Sequence, residues 1–162
     1  VHAGGVLKSA ALRVRLAAFA LAACAPALAQ VGPPPAPPGL YAALGELPGI
    51  ERLVGDFIPR LKRHPRLAAH FRDVKAGPFQ EALSEQICWL AGGPCTFQGR
   101  ALRDMRADMR GVHADLKIDQ ADFNALVEVL QDAMDAQGIA FAQQNRLLAL
   151  LAPMHRDIIT VH

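Results

Sequence analysis

From Ile50 to Met154 the apolar residues recur at intervals of three and four, and no run alternates with a period of two between turn signals. A chain patterned in this way can bury one face of each helix and offers no strand to pair, so the expected class is all-α. Ile50, Leu53, Val54, Phe57, Ile58 and Leu61 form the first stripe, with Pro59 inside it. A proline there removes a hydrogen bond and is expected to kink the helix, at about 3 kcal/mol. Pro65 suits the start of a short helix carrying Leu67 and Phe71. Phe79, Ala82, Leu83, Gln86, Ile87 and Leu90 make the next stripe, stopped by Gly92-Gly93-Pro94.

A further stripe from about Ala101 aligns Leu102, Met105, Met109, Val112 and His113. Asp119, with Asp122 three residues on, has the form of an N-cap before Phe123, Leu126, Val127, Leu130 and Met134, and Gly138 closes that helix. The last helix is expected from about Ala140 to Ile159, bent at Pro153. No internal repeat interrupts this order.

The front of the chain is of another kind. Lys8, Arg13 and Arg15 precede the apolar run Leu16 to Leu28. About 13 apolar residues are too few to span a bilayer comfortably, so residues 1–29 are expected to be a secretory signal rather than a retained anchor. Ala27-Leu28-Ala29 has the small-x-small form of an ordinary cleavage site, whereas Leu21-Ala22-Ala23-Cys24 has the form of a lipoprotein signal whose Cys24 would carry a lipid anchor. Both place the domain outside the cytoplasm, periplasmic or tethered to a membrane. Residues 30–39, rich in proline, read as a stiff spacer, and the domain is expected over 40–162.

Removing residues 1–29 takes away three positive charges and no negative ones, leaving Lys+Arg 14 against Asp+Glu 15. The basic character belongs to the leader. Nucleic-acid binding, which needs a basic face, is not expected. With Cys24 set aside, Cys88 and Cys95 remain as a pair that either closes a disulfide in an oxidising compartment or stays as two thiols. They do not make a structural zinc site, and there is no C-x-x-C-H haem-attachment motif.

Apart from His162 at the last position, four histidines fall within the domain: His64, His70, His113 and His155. Among them only His113 sits four residues after a methionine, Met109, on an apolar helical face. By spacing alone, a buried structural histidine is the commoner explanation.

The order of several segments changes that weighting. Leu40-Tyr41-Ala42-Ala43-Leu44-Gly45, His64-Pro65-Arg66-Leu67 followed by Phe71, Gly92-Gly93-Pro94-Cys95, Asp108-Met109-Arg110-Gly111-Val112-His113, Phe123 ten residues later, and Leu148 to Pro153 together resemble the bacterial group I truncated haemoglobins. The resemblance spans nearly all of residues 40–160. It implies a two-over-two helical sandwich around one non-covalent haem b, with His113 as the iron's proximal ligand and Phe71 packed on the porphyrin. Phe57, Ile58, Phe79, Leu83, Ile87, Met109 and Phe123 are the further residues expected around the haem. A neutral imidazole suits iron, and one proximal histidine leaves the other face open to a diatomic gas such as oxygen, nitric oxide or carbon monoxide. Its second ring nitrogen is expected to donate to a backbone carbonyl one turn earlier.

Two departures from the family bear on function. Positions that often hold a tyrosine and a glutamine fall on Ile58 and Leu83, with Phe79 nearby, so the distal face is expected to be apolar. Loss of a hydrogen bond of about 1.5–3 kcal/mol would speed oxygen loss by roughly ten- to hundred-fold, which argues against tight oxygen storage. Gln86 could restore a donor and His70 could act as a sixth ligand, though a polar surface residue is the ordinary explanation of each. Ala101 to Ala107 reads as an insertion beside the proximal histidine.

The leading expectation is therefore an exported haem protein that binds diatomic gases reversibly or exchanges single electrons with a partner. Turnover of the nitric oxide dioxygenase or peroxidase type is compatible with the resemblance, without making the chain a dedicated enzyme. The competing expectation is a cofactor-free exported module that uses the scaffold for partner binding. Thiol–disulfide exchange by Cys88 and Cys95 is weaker, since redox pairs usually stand as C-x-x-C.

Overall fold

In the computed structural model, residues 36–95 and 110–161 are described. Helix α1 (Leu40–Ala43) is one turn long and ends on Leu44. Gly45, at φ +80°, reverses the chain into α2 (Glu46–Arg63). This turn is close: a Cβ on Gly49 would collide with the carbonyl oxygen of Leu44, so only glycine fits there. The Tyr41 hydroxyl accepts a hydrogen bond from the Leu47 amide at 3.0 Å and ties α1 to the first turn of α2.

The first stripe behaves as its spacing predicts, because Ile50, Leu53, Val54, Phe57, Ile58 and Leu61 are all buried on one face of α2. The helix runs through Pro59 to Arg63 without a break. Pro59 lies on the exposed side. Arg60, Lys62 and Arg63 put positive charge in the last turn, where the helix dipole favours it.

A short α3 (Ala68–Phe71) leads to α4 (Ala76–Leu90). Just beyond α4, Cys95 forms a disulfide with Cys88, the Cα atoms 5.9 Å apart. The stripe expected from Ala101 lies almost wholly outside the described residues, as do the insertion at 101–107, Met109 and the segment 1–29; only residues 110–113 of it are seen, and they are helical.

Helix α5 (Gln120–Ala136) starts with a full capping box: the Asp119 side chain accepts from the Asp122 amide at 2.8 Å, and the Asp122 side chain accepts from the Asp119 amide at 3.0 Å. Helix α6 (Phe141–Leu151) contributes a buried glutamine, Gln144, whose amide donates to Asp135 Oδ1 at 2.6 Å and to the Ile139 carbonyl at 2.8 Å. The single last helix expected from the sequence is three pieces instead. Pro153 falls in a 3₁₀ turn (Ala152–Met154), after which α7 (His155–Ile158) completes the chain. Proline lacks the amide that would continue α6, and the tighter turn accommodates it.

The described elements are all helices and turns, with no strand among the described residues. Helix α2 packs most extensively on α4 and next on α5, and α5 packs on α6. Two pairs of helices are thus stacked on one another, α2 with α4 and α5 with α6, as a two-over-two sandwich. The shared core joins Leu53, Val54 and Leu61 of α2 to Ile87 of α4, Met134 of α5 and Leu147 of α6. No helix among the described residues is long and apolar enough to cross a membrane.

Candidate functional site

A cavity of about 470 Å³ opens between α3, α4, the 110–118 segment and the start of α5. Its wall is almost entirely hydrocarbon. Phe71 comes from α3, Phe79, Ala82 and Leu83 from α4, Val112, Leu116 and Ile118 from the segment after the undescribed stretch, and Phe123 and Leu126 from α5. Phe71 and Phe79 stand as a tilted ring pair, centroids 5.8 Å apart. Val112 is 66% exposed and Leu116 39%, both on this wall. Large aliphatic side chains left open around a hollow are a poor end state for a protein in water, and a flat apolar occupant would remove that surface. The volume lies within the roughly 300–1,000 Å³ of small-molecule and cofactor sites.

His113 is on this wall. Long-range contacts brace the segment that carries it on both sides. Before it, Arg110 Nε donates to Asp157 Oδ1 of α7 at 2.6 Å, and Asp157 is nearly fully buried. After it, the Ile118 amide donates to Thr160 Oγ1 at 2.9 Å, while the amides of Thr160 and Val161 donate back to the Ile118 carbonyl. The last residues of the chain therefore pin the histidine-bearing segment against α7. The carbonyl expected to orient the second ring nitrogen, one turn earlier, lies outside the described residues.

Four polar side chains reach the cavity: His70, Gln86, His113 and Asp122. His70 Nε2 is 3.6 Å from Asp122 Oδ2. Asp122 also takes Arg66 Nε on Oδ1 at 2.8 Å, and Arg66 reaches on to Asp119 Oδ2 at 2.6 Å. The Asp122 amide donating to the Asp119 carboxylate, followed by the Arg66 guanidinium beside it, holds Asp119 below the usual carboxylate range. The hydrogen bond to Asp119 in turn raises Arg66. His70 is thus the inner end of a row of polar contacts running through Asp122 and Arg66 out to Asp119.

Gln86 is only 6% exposed, and its amide nitrogen lies 3.3 Å from Met154 Sδ. A thioether is a weak acceptor, so this contact engages the buried amide only weakly.

Of the residues expected around a haem, the structure brings His113, Phe71, Phe79, Leu83 and Phe123 to one cavity, together with the alternatives Gln86 and His70. Phe57, Ile58 and Ile87 are elsewhere: each is buried in the helix-sandwich core and none is on the cavity wall. Their stripes are continuous with the core, which is why spacing alone did not separate the two roles. Met109 is outside the described residues. The expected apolar face changes accordingly, because Ile58 does not reach the wall and a buried amide, Gln86, does. Arg110, Asp157 and Thr160 had no signal in the sequence, since each acts through a partner 42 or more residues away.

A model of the family described as bacterial-like globin matches residues 39–160. The chain belongs to the bacterial-like globin family. Among similar solved structures, the Fe(III) form of the truncated haemoglobin of Tetrahymena pyriformis shares 18% identity over 74% of this globin and 97% of that chain, with a TM-score of 0.66. The group II truncated haemoglobin of Bacillus anthracis shares 21% identity over 75% of this globin and 91% of that chain, TM-score 0.65. The 2/2 haemoglobin of Synechococcus sp. PCC 7002, in a cyanomet state with covalently attached haem, shares 16% identity over 74% and 97%, TM-score 0.63. At such identities the likeness is one of fold.

The cavity itself fits the family's cofactor. Among the described residues no three His, Cys, Asp or Glu side chains cluster so as to hold a bare metal ion. A metal placed near His113 would have to bring most of its ligands with it, as a macrocycle does. Two other hollows in this globin are larger, about 660 and 580 Å³, but neither contains His113 or the phenylalanines.

Proposed function

We propose that this globin is an exported haem protein that binds diatomic gases reversibly, with His113 holding the iron. The observation that carries the reading is the sharing of one apolar cavity by His113 and the rings of Phe71, Phe79 and Phe123. When bound, the haem iron supplies an open coordination position for the gas. The protein's own residues do the remainder. His113 presents an imidazole nitrogen, and the Arg110–Asp157 and Ile118–Thr160 contacts hold the segment that carries it. Phe71, Phe79 and Phe123 would flank the haem and, with Leu83 and Leu126, would exclude water from it. Gln86 offers an amide donor from α4.

The haem is of the b type and held without a covalent bond, a reading supported by the joining of Cys88 to Cys95, which leaves neither as an attachment point. Export is supported by that same disulfide, which suits an oxidising compartment, and by the basic-then-apolar residues 1–29, with Cys24 as an alternative lipid anchor. Within the family we read the chain as a group I member, a reading supported by the segment order from Leu40 to Pro153.

Titration of the full chain with haemin tests the reading. We expect a stoichiometric Soret band that is lost in His113→Ala and restored when imidazole is added to His113→Gly. A folded, helical chain that takes up no haem, or a Soret band unchanged by either substitution, would overturn it.

A further inference from the structure

The segment 66–74, which carries α3, forms one side of the His113 cavity and presents Leu67, His70, Phe71 and Val74 to it at helical spacing. It is lightly packed. Leu67 is buried, but from Ala68 through Val74 no residue is, and the extensive packing of α3 is on α2. Its backbone hydrogen bonds are local, the His70 amide donating to the Leu67 carbonyl at 2.9 Å and the Val74 amide to the Phe71 carbonyl at 3.3 Å. Longer ties stand at its two ends. At the far end Lys62 Nζ of α2 donates to the Val74 carbonyl at 2.8 Å. At the near end Arg66 reaches across to α5, with Nε 2.8 Å from Asp122 Oδ1 and Nη2 2.6 Å from Asp119 Oδ2. His70 Nε2 lies 3.6 Å from the other oxygen of Asp122.

We propose that segment 66–74 is a strap that swings away from α5 to let haem enter and leave the cavity, and that Arg66 is the latch that closes it. The inference rests on the haem reading above. A segment with few buried side chains opens at lower cost than the core, so this is the part of the wall suited to move. The α5 side of the latch is fixed, because the capping box ties Asp119 and Asp122 to each other's amides. The guanidinium meets the two carboxylates with separate nitrogens, a geometry that a planar fork of donors supports and a single ammonium does not. Arg66 and Asp119 side chains are each 44% exposed, so dissolved salt screens the latch, as it does not screen apolar packing.

Hydrogen exchange of the ligand-free full chain, together with haem transfer from the haemin-loaded chain to an apo-globin acceptor, tests it. We expect Arg66→Gln to speed exchange in peptides covering 66–75 by about threefold or more while α4 and α6 stay unchanged, with Arg66→Lys in between. Raising NaCl to about 0.5 M should speed the same peptides in the native chain and have little effect in Arg66→Gln. Haem transfer should quicken by a like factor in that variant. Unchanged exchange over 66–75, faster exchange throughout α4 and α6, or haem transfer that stays constant while exchange rises would each overturn the proposal. A chain that takes up no haemin would sink the haem reading instead, and faster exchange confined to 66–75 in that chain would still establish the strap.

Discussion

Gln86 Nε2 sits 3.3 Å from Met154 Sδ, so the buried amide on α4 is steadied by a thioether from the 3₁₀ turn after α6. Polarisable sulfur fills the space beside the amide and binds it weakly, and on the haem-protein reading proposed above Gln86 is the donor for a bound gas. Gln86→Leu should raise the oxygen dissociation rate by about three- to tenfold, as the loss of one ordinary hydrogen bond implies, with little change for carbon monoxide. Stopped-flow dissociation of both gases checks this, and equal effects on the two would show that Gln86 acts through packing alone.

Asp157 lies almost fully buried in α7 while its partner Arg110 is largely exposed, so the pair joins the surface of the His113 segment to the interior. Asp157→Ala should destabilise the fold by about 1–3 kcal/mol, the range for losing a charged hydrogen bond and leaving its surroundings unpaired. It should also speed transfer of haem to an apo-globin acceptor. Chemical denaturation and a haem-transfer assay read the two effects separately.

Asp119 titrates below the usual carboxylate range because it accepts from the Asp122 amide and pairs with Arg66. A carboxylate whose folded value is depressed contributes stability that is present above the unfolded value and lost as the pH falls through the folded one. Asp119→Asn keeps an N-cap but removes the charge. The melting temperature of the native chain should therefore exceed that of Asp119→Asn at neutral pH, and the difference should close at pH values below about 4. A difference that persisted into acid would mean that the Arg66 pairing does not stabilise the fold.

Cys88 is fully buried on α4, and its bond to Cys95 closes a loop seven residues apart in sequence. Constraining a loop this short is worth about 2–3 kcal/mol in the chain-entropy picture. Cys95→Ser should lower stability by roughly that amount, and addition of a dithiol should lower the native chain to the same level while leaving the variant unchanged. Thermal melts with and without the reductant measure it.

Ser84→Ala removes a buried hydroxyl that has no hydrogen-bond partner among the described residues, so it should leave stability unchanged or raise it by up to about 1 kcal/mol. A clear loss on thermal melting would show that the hydroxyl is paired in solution.

The helices were legible in the chain because the stripe Ile50 to Leu61 and the capping residues Asp119 and Asp122 encode local geometry, which needs only neighbours three or four positions away. The break at Pro153 was legible as a bend but not as a 3₁₀ turn, since either outcome satisfies a missing amide. Within the candidate site, the order of segments singled out His113 and Phe71, and the structure brings both to one cavity with Phe79, Leu83 and Phe123. It could not tell which apolar residues face the core and which the cavity. Phe57, Ile58 and Ile87 share their periodicity with the core, and only the packing of α2 on α4 assigns them there.

What the sequence by itself determined is the helical class and the start of α5. Each follows from residues close together in the chain or from their order along it. What only the tertiary structure decided is the character of the pocket: Gln86 meeting Met154 across 68 positions, Arg110 meeting Asp157 across 47, and Arg66 meeting Asp119 across 53. Such contacts exist only once the two helix pairs have stacked, because burial brings together side chains that no local pattern connects, and that stacking turns a row of apolar residues into a cavity with His70 and His113 on its wall.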